Sequence, residues 1–330
     1  MSDRRRLQLF AVLVVACVAG GAVAIVSATG GAGEAGAPAG ALARAHADAR
    51  PALLVRNLDR TRPREFGQLA IAQASPGGAR SLVPMRCERV HFSAGAGLCL
   101  ARGSGFAAGY RARIFGPRLD VRGEVALAGI PSRARVSPDG RYATATMFVT
   151  GHSYADQGSF STTTTLIDVA RGRRIAELED FRTTRRGRLV TADDVNYWGV
   201  TFRRDSDRFY ATLATGGRIH LVEGSVSQRR MRVVHETVEC PSLSPDETRI
   251  AFKKRVGPAG KRWRIHVLDL RTMHETALAE TRNVDDQVEW LDGSTVLYGL
   301  DEDVWSVPAD GSGAPRRHAA DADSPAALRR

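Results

Sequence analysis

From residue 51 onward, apolar residues recur in short runs of Val, Ile, Leu, Phe and Tyr separated by Gly, Asp and Pro, and no 3.6-residue period is sustained. The pattern predicts an all-β domain. Its clearest internal match sets Val136-Ser137-Pro138-Asp139-Gly140-Arg141-Tyr142-Ala143 against Leu243-Ser244-Pro245-Asp246-Glu247-Thr248-Arg249-Ile250-Ala251-Phe252. Each copy has an apolar strand end, a tight turn and a second apolar strand. Proline suits the second position of such a turn because its φ is already fixed, and Asp or Gly tolerates the bend that follows. Weaker copies start at Phe92, Phe202 and Trp290.

Counting from the turn residues at 95, 139, 205, 246 and 292 gives intervals of 44, 66, 41 and 46 residues. Three of them match one propeller blade of about 40–45 residues. The long one requires an insertion, for which 150–161 and 182–194 supply polar sequence. Residues 51–84 hold three strand candidates and lack a first strand, while Ser324-Pro325-Ala326-Ala327-Leu328 stands alone at the other end and matches Cys240-Pro241-Ser242-Leu243. A ring closed by strands from both termini hides its exposed edges. The expectation is a six-bladed β-propeller with four-stranded blades over residues 51–330.

The Ser-Pro-Asp-Gly turn followed by a small apolar strand, with blades such as Trp263 to Asp269, resembles the WD-like repeats of TolB-type six-bladed propellers. Longer strings, Arg86-Cys87-Glu88-Arg89-Val90-His91-Phe92 and Asp194-Val195-Asn196-Tyr197-Trp198-Gly199-Val200-Thr201-Phe202, are similar to membrane-anchored TolB-like proteins of actinobacteria. The resemblance implies a protein-interaction module, without the extra amino-terminal domain of TolB and without an assigned activity.

Ahead of the repeats, residues 1–6 are basic through Arg4, Arg5 and Arg6, and residues 7–28 form a 22-residue apolar run. Such a run spans a hydrocarbon core of about 30 Å, and the arginines should stay on the cytoplasmic side. The expected location is therefore the cell membrane, single-pass, with the propeller outside. Val26-Ser27-Ala28 also resembles a signal-peptide cleavage site and Val14-Val15-Ala16-Cys17 a lipobox, and all three readings export the domain. Residues 29–50, rich in Ala and Gly, read as a disordered tether.

The charge of +11 changes little, because 44 of the 47 basic residues are arginines scattered along the chain, and no nucleic-acid partner is expected. Four cysteines without a C-x-x-C pair argue against a disulfide scaffold or structural zinc. A turn at Ala94-Gly95 places Cys87 opposite residue 102, about 10 Å from Cys99 along the strand, which argues against a bridge. No G-x-S-x-G, H-E-x-x-H, Walker A or dinucleotide motif occurs. The acidic pairs at 193–194, 285–286 and 321/323 read as solvated turns, so no cofactor or metal is assigned.

In a propeller, the segments leading into the innermost strands and the loops joining second to third strands share one mouth of the central channel. These segments hold Glu88, Arg89, Arg133, Asn196, Tyr197, Trp198, Glu239, Asp286 and Gln287, with His152 in the 150–161 insertion. Charged and aromatic side chains around one funnel suit a polar ligand or a peptide of an envelope protein, bound without catalysis by a monomer. The alternatives are a lyase or lactonase working through funnel carboxylates, His152 and a divalent metal, or residues that merely cement the blades. Arg133 and Trp198 are expected in one sector as a paired anchor; on the cementing reading Trp198 wedges between blades and Arg133 pairs with a carboxylate such as Asp194.

Overall fold

A computed structural model describes residues 40–47, 52–103, 109–151, 160–257 and 260–329. Six antiparallel-based sheets succeed one another along the chain. Blade 1 comprises Ala52–Asn57, Gln68–Gln73 and Arg80–Arg86, with Ala322–Leu328 as its innermost strand. Blade 2 runs from Arg89–Ser93 to Val121–Leu127, blade 3 from Ile130–Val136 to Arg173–Glu177, and blade 4 from Asn196–Phe202 to Arg230–Glu236. Glu239–Leu243 opens blade 5 and Glu289–Trp290 opens blade 6. Each innermost strand touches the innermost strand of both neighbouring blades, which closes the ring around a central channel.

The Ser-Pro-Asp turns repeat because one hydrogen-bond network builds them. In blade 3 the Ser137 hydroxyl donates to Asp139 (2.8 Å) and accepts from the Tyr142 N–H (3.0 Å). The blade 5 copy repeats both contacts, Ser244 to Asp246 (2.5 Å) and Arg249 N–H to Ser244 (3.0 Å). The residue after Asp is left-handed in both, Gly140 at φ 72° and Glu247 at φ 63°. Closure follows the expected route: Leu53 pairs with Ala327 and Leu54 with Ala326, so the last strand supplies the first blade's missing one.

Three features depart from the sequence reading. The 182–194 insertion is not a loop: Arg182–Arg185 adds in parallel to the outer strand of blade 4 and Arg188–Leu189 folds back on it, giving that blade six strands. Cys87 and Cys99 are bridged, with Cα atoms 5.4 Å apart. The expected register holds, Val90 pairing with Cys99, but the strand begins only at Arg89. Cys87 lies before it and bonds back to Gly67 O (3.1 Å), so in-strand spacing does not govern its position. Within the expected tether, Ala41–Ala47 is a helix. Its Leu42 is fully buried with Leu54, Leu69 and Phe92, apolar surface that the rest of that segment lacks. Residues 1–39 lie outside the described residues, among which no helix is long and apolar enough to cross a membrane.

Candidate functional site

Strand alternation decides what the channel contains. Residues two apart on one strand share a face, and two innermost strands carry polar pairs at that spacing, Arg89 with His91 and Arg133 with Arg135; Gln287, two residues before the short strand Glu289–Trp290, makes a third pair with Glu289. The first member of each pair lies at one mouth and the second lies deeper.

At the mouth, Asp323 takes Arg56 (3.1 Å) and Arg89 (3.3 Å), Arg56 continues to Glu88 (2.9 Å), and Arg89 reaches the Ser132 carbonyl in the next blade (2.9 Å). Arg133 lies 3.8 Å from Asp286. Burial raises the Asp323 carboxyl and outweighs the two arginines. Below this rim, Arg135 bonds Glu289, which also takes Arg329 (3.0 Å). The Val136 N–H donates to His91 Nδ1 (3.1 Å), while His91 Nε2 lies 3.0 Å from the Arg135 guanidinium and 3.7 Å from Glu289. With its amide oxygen turned inward, Gln287 accepts from Arg135 Nε (3.0 Å). Burial would raise the Glu289 carboxyl, but Arg135 and Arg329 hold it well below the usual carboxylate range. Burial and then Arg135 push the His91 ring down, keeping it neutral.

This second tier is a plug. The recess between rim and plug, lined by Arg89, Arg133, Asp286, Gln287 and Ser324, has about 20 Å³ of free volume, enough for one water. His91, Arg135 and Glu289 also line the opposite mouth, which is wider at about 230 Å³ and is formed by the turns at Pro138 and Pro245.

No protein-family model and no curated protein matches the sequence. Among solved structures, TolB from Acinetobacter baumannii is similar over 85% of this chain and 67% of that one, at 16% identity and a TM-score of 0.57. A chain of the nidogen/laminin complex is similar over 84% of this chain and 98% of that one, at 9% identity and a TM-score of 0.55. The fold is that of a TolB-type propeller.

In this TolB-type propeller the expected site residues divide. Glu88, Arg89, Arg133, Asp286 and Gln287 come together at the rim. Asn196, Tyr197, Trp198 and Glu239 stand at the corresponding positions of blades 4 and 5 but serve the blade contacts. Trp198 is fully buried against Cys240, Trp263 and Phe148, with Phe160 edge-on at 5.6 Å. The Tyr197 hydroxyl is bonded to Thr183 (2.7 Å), and burial pushes it up to about 12. Asn196 accepts from the Thr162 N–H (2.8 Å) of blade 3. Glu239, fully buried, takes Arg255 (2.5 Å) and the Trp263 indole N–H (3.0 Å). Arg133 and Trp198 therefore do not share an anchor, and Asp194, bonded to Thr215 and Gly216 (both 2.6 Å), is not Arg133's partner. His152 lies outside the described residues.

Trp198 is held by its aromatic and Cys240 contacts, beside a bulge in the strand. The blade 4 register shifts between Trp198 and Thr201, and Gly199 there adopts φ 64° with its Cα side so close to Cys240 that a Cβ would sit 2.5 Å from the Cys240 Cα. Blades 5 and 1 carry the same device at Cys240 (φ 50°) and Ser324 (φ 55°), each followed by Pro. The plug residues His91, Arg135 and Glu289 escaped the sequence reading. Their signal was the i, i+2 spacing from residues already singled out.

Proposed function

We propose that the protein is a non-catalytic, extracytoplasmic binding module, held at the membrane by residues 7–28, whose charged rim receives a polar segment of an envelope partner. The observation that carries this reading is the plug: directly beneath a rim bearing both signs of charge, the Arg135–Glu289–His91 tier leaves room for a single water. A ligand at this mouth is bound on the surface and reads the rim, with Arg89 and Arg133 offering charge-assisted donors and Asp286 an acceptor. A TolB-type fold supports a binding role of this kind. The rim carboxylates are engaged by arginines, an arrangement suited to recognition by exchange of partners and ill suited to proton transfer.

The test is site-specific photo-crosslinking in the native membrane from Glu88, whose side chain is 41% exposed at the rim. A discrete adduct that disappears in the Arg133→Ala/Asp286→Ala variant supports the reading. An adduct that persists unchanged in that variant, or no adduct from any rim position, refutes it.

A further inference from the structure

The hairpin added to blade 4 carries an arrangement the fold does not require. Arg182–Arg185 lies parallel to Arg230–Glu236, with Arg182 directly opposite Arg230 and Thr184 opposite Arg232; on its other side Arg185 faces Arg188. Like charges directly opposite across a ladder repel. Two of these arginines are relieved locally, Arg185 by Glu236 (2.8 Å) and Arg232 by Glu223 (2.5 Å). Arg182, Arg188 and Arg230 are exposed and make no ion pair among the described residues, nor does exposed Arg186 at the hairpin tip, held left-handed at φ 50° ahead of Gly187. Buried Thr183 and Met231 alternate with Arg182 and Arg230 and hold the hairpin on the blade, so the face that carries Arg182, Arg230 and Leu189 is turned outward, with Arg188 exposed on the edge strand beside it.

Beside these cations, Leu189 pairs with Thr184 and is 48% exposed. An apolar side chain among unpaired guanidinium groups, on a protruding edge, is the combination that binds a charged interface: the arginines meet phosphates while the leucine enters the headgroup region. The described residues of the ridge include no exposed aromatic side chain on which a base could stack, which disfavours single-stranded nucleic acid. We propose that the Arg182–Leu189 hairpin with Arg230 is a docking surface for an anionic phospholipid bilayer. It is independent of the channel rim on the innermost strands.

The experiment is hydrogen exchange of the full chain with phosphatidylcholine nanodiscs, with and without phosphatidylglycerol. Amides of residues 183–190 should exchange about tenfold more slowly with the anionic lipid, while the rim strands stay unchanged. The Arg182→Gln/Arg188→Gln/Arg230→Gln variant should lose the difference yet melt no earlier than the parent, since it removes repulsion. Raising salt to 1 M, where the screening length is about 3 Å, should also abolish it. Equal exchange with both lipids overturns the proposal. So does protection by a soluble oligonucleotide with none by the anionic nanodiscs, which would make the ridge a polyanion site.

Discussion

Blades 2, 3 and 6 and blades 4 and 5 use the same repeat position in opposite ways. On the first three, the residues leading into the innermost strand are Arg89, Arg133 and Gln287, which line the recess. On the other two they are Trp198 and Glu239, both fully buried and engaged by Trp263. A propeller repeat fixes where a side chain starts, and its neighbours decide whether it ends in the recess or in the seam between blades: bulged inner strands occur on both sides of the comparison, at Ser324 of blade 1 and before Arg133 of blade 3 as well as at Gly199 and Cys240. The mouth is thus half open and charged, half sealed by aromatics and buried charge.

The sealed half should be the stability-bearing one. Trp198→Ala empties a fully buried site and should cost about 3–5 kcal/mol in denaturant unfolding. A cost below about 1 kcal/mol would move Trp198 to the open side of the comparison.

The seam between blades 3 and 4 should show a pH signature. Burial against blades 3 and 4 pushes the Glu179 carboxyl up to about 8, despite the Thr164 N–H that donates to it (3.2 Å). Between about pH 4.5 and 8 the folded chain keeps this proton and the unfolded chain has lost it, so stability falls as pH rises. Glu179→Gln, neutral throughout, should remove a decline on the order of a few kcal/mol across that window. Buried neutral His91 works in the other sense, adding stability as pH rises toward its ordinary 6.5, so the difference between the two proteins is the readout. Parallel pH profiles for parent and variant would show that Glu179 is ionised in the fold.

In the open half the effects should be small. Removing Arg133 alone leaves Asp286 without its nearest cation, so the pair is removed together. Arg133 is buried, so the double variant loses packing as well as the pair, and Arg133→Ala/Asp286→Ala should lower the melting temperature by a few degrees, the response to about 1–2 kcal/mol in a domain of this size and less than Trp198→Ala.

Much of the ring could be read from the chain because its information is local. Ser137, Asp139 and their blade 5 counterparts form a network within six residues, and Ser324-Pro325 announces the closing strand by repeating Cys240-Pro241. The bridge at Cys87 was hidden because Cys87 lies between strands, after Arg86 and two residues before Arg89, and the added hairpin because its polar sequence has no apolar period to betray a strand. At the mouth, composition drew attention to Trp198, but its burial depends on Phe148, Cys240 and Trp263, partners brought to it from other blades that a local pattern does not display. The plug was within reach of period-two reasoning, since Arg89 to His91 and Arg133 to Arg135 are two residues apart on one strand face.

The most direct test of the division is the adduct formed from Glu88 in membranes, measured at equal amounts of folded protein for the parent, Arg133→Ala/Asp286→Ala and Trp198→Ala. The account expects the rim variant to keep its melting temperature within a few degrees and lose the adduct, and Trp198→Ala to melt early and keep it. The reverse pattern, a stable Trp198→Ala protein without adduct beside a rim variant that still forms it, would place the binding surface on blades 4 and 5 and contradict the account.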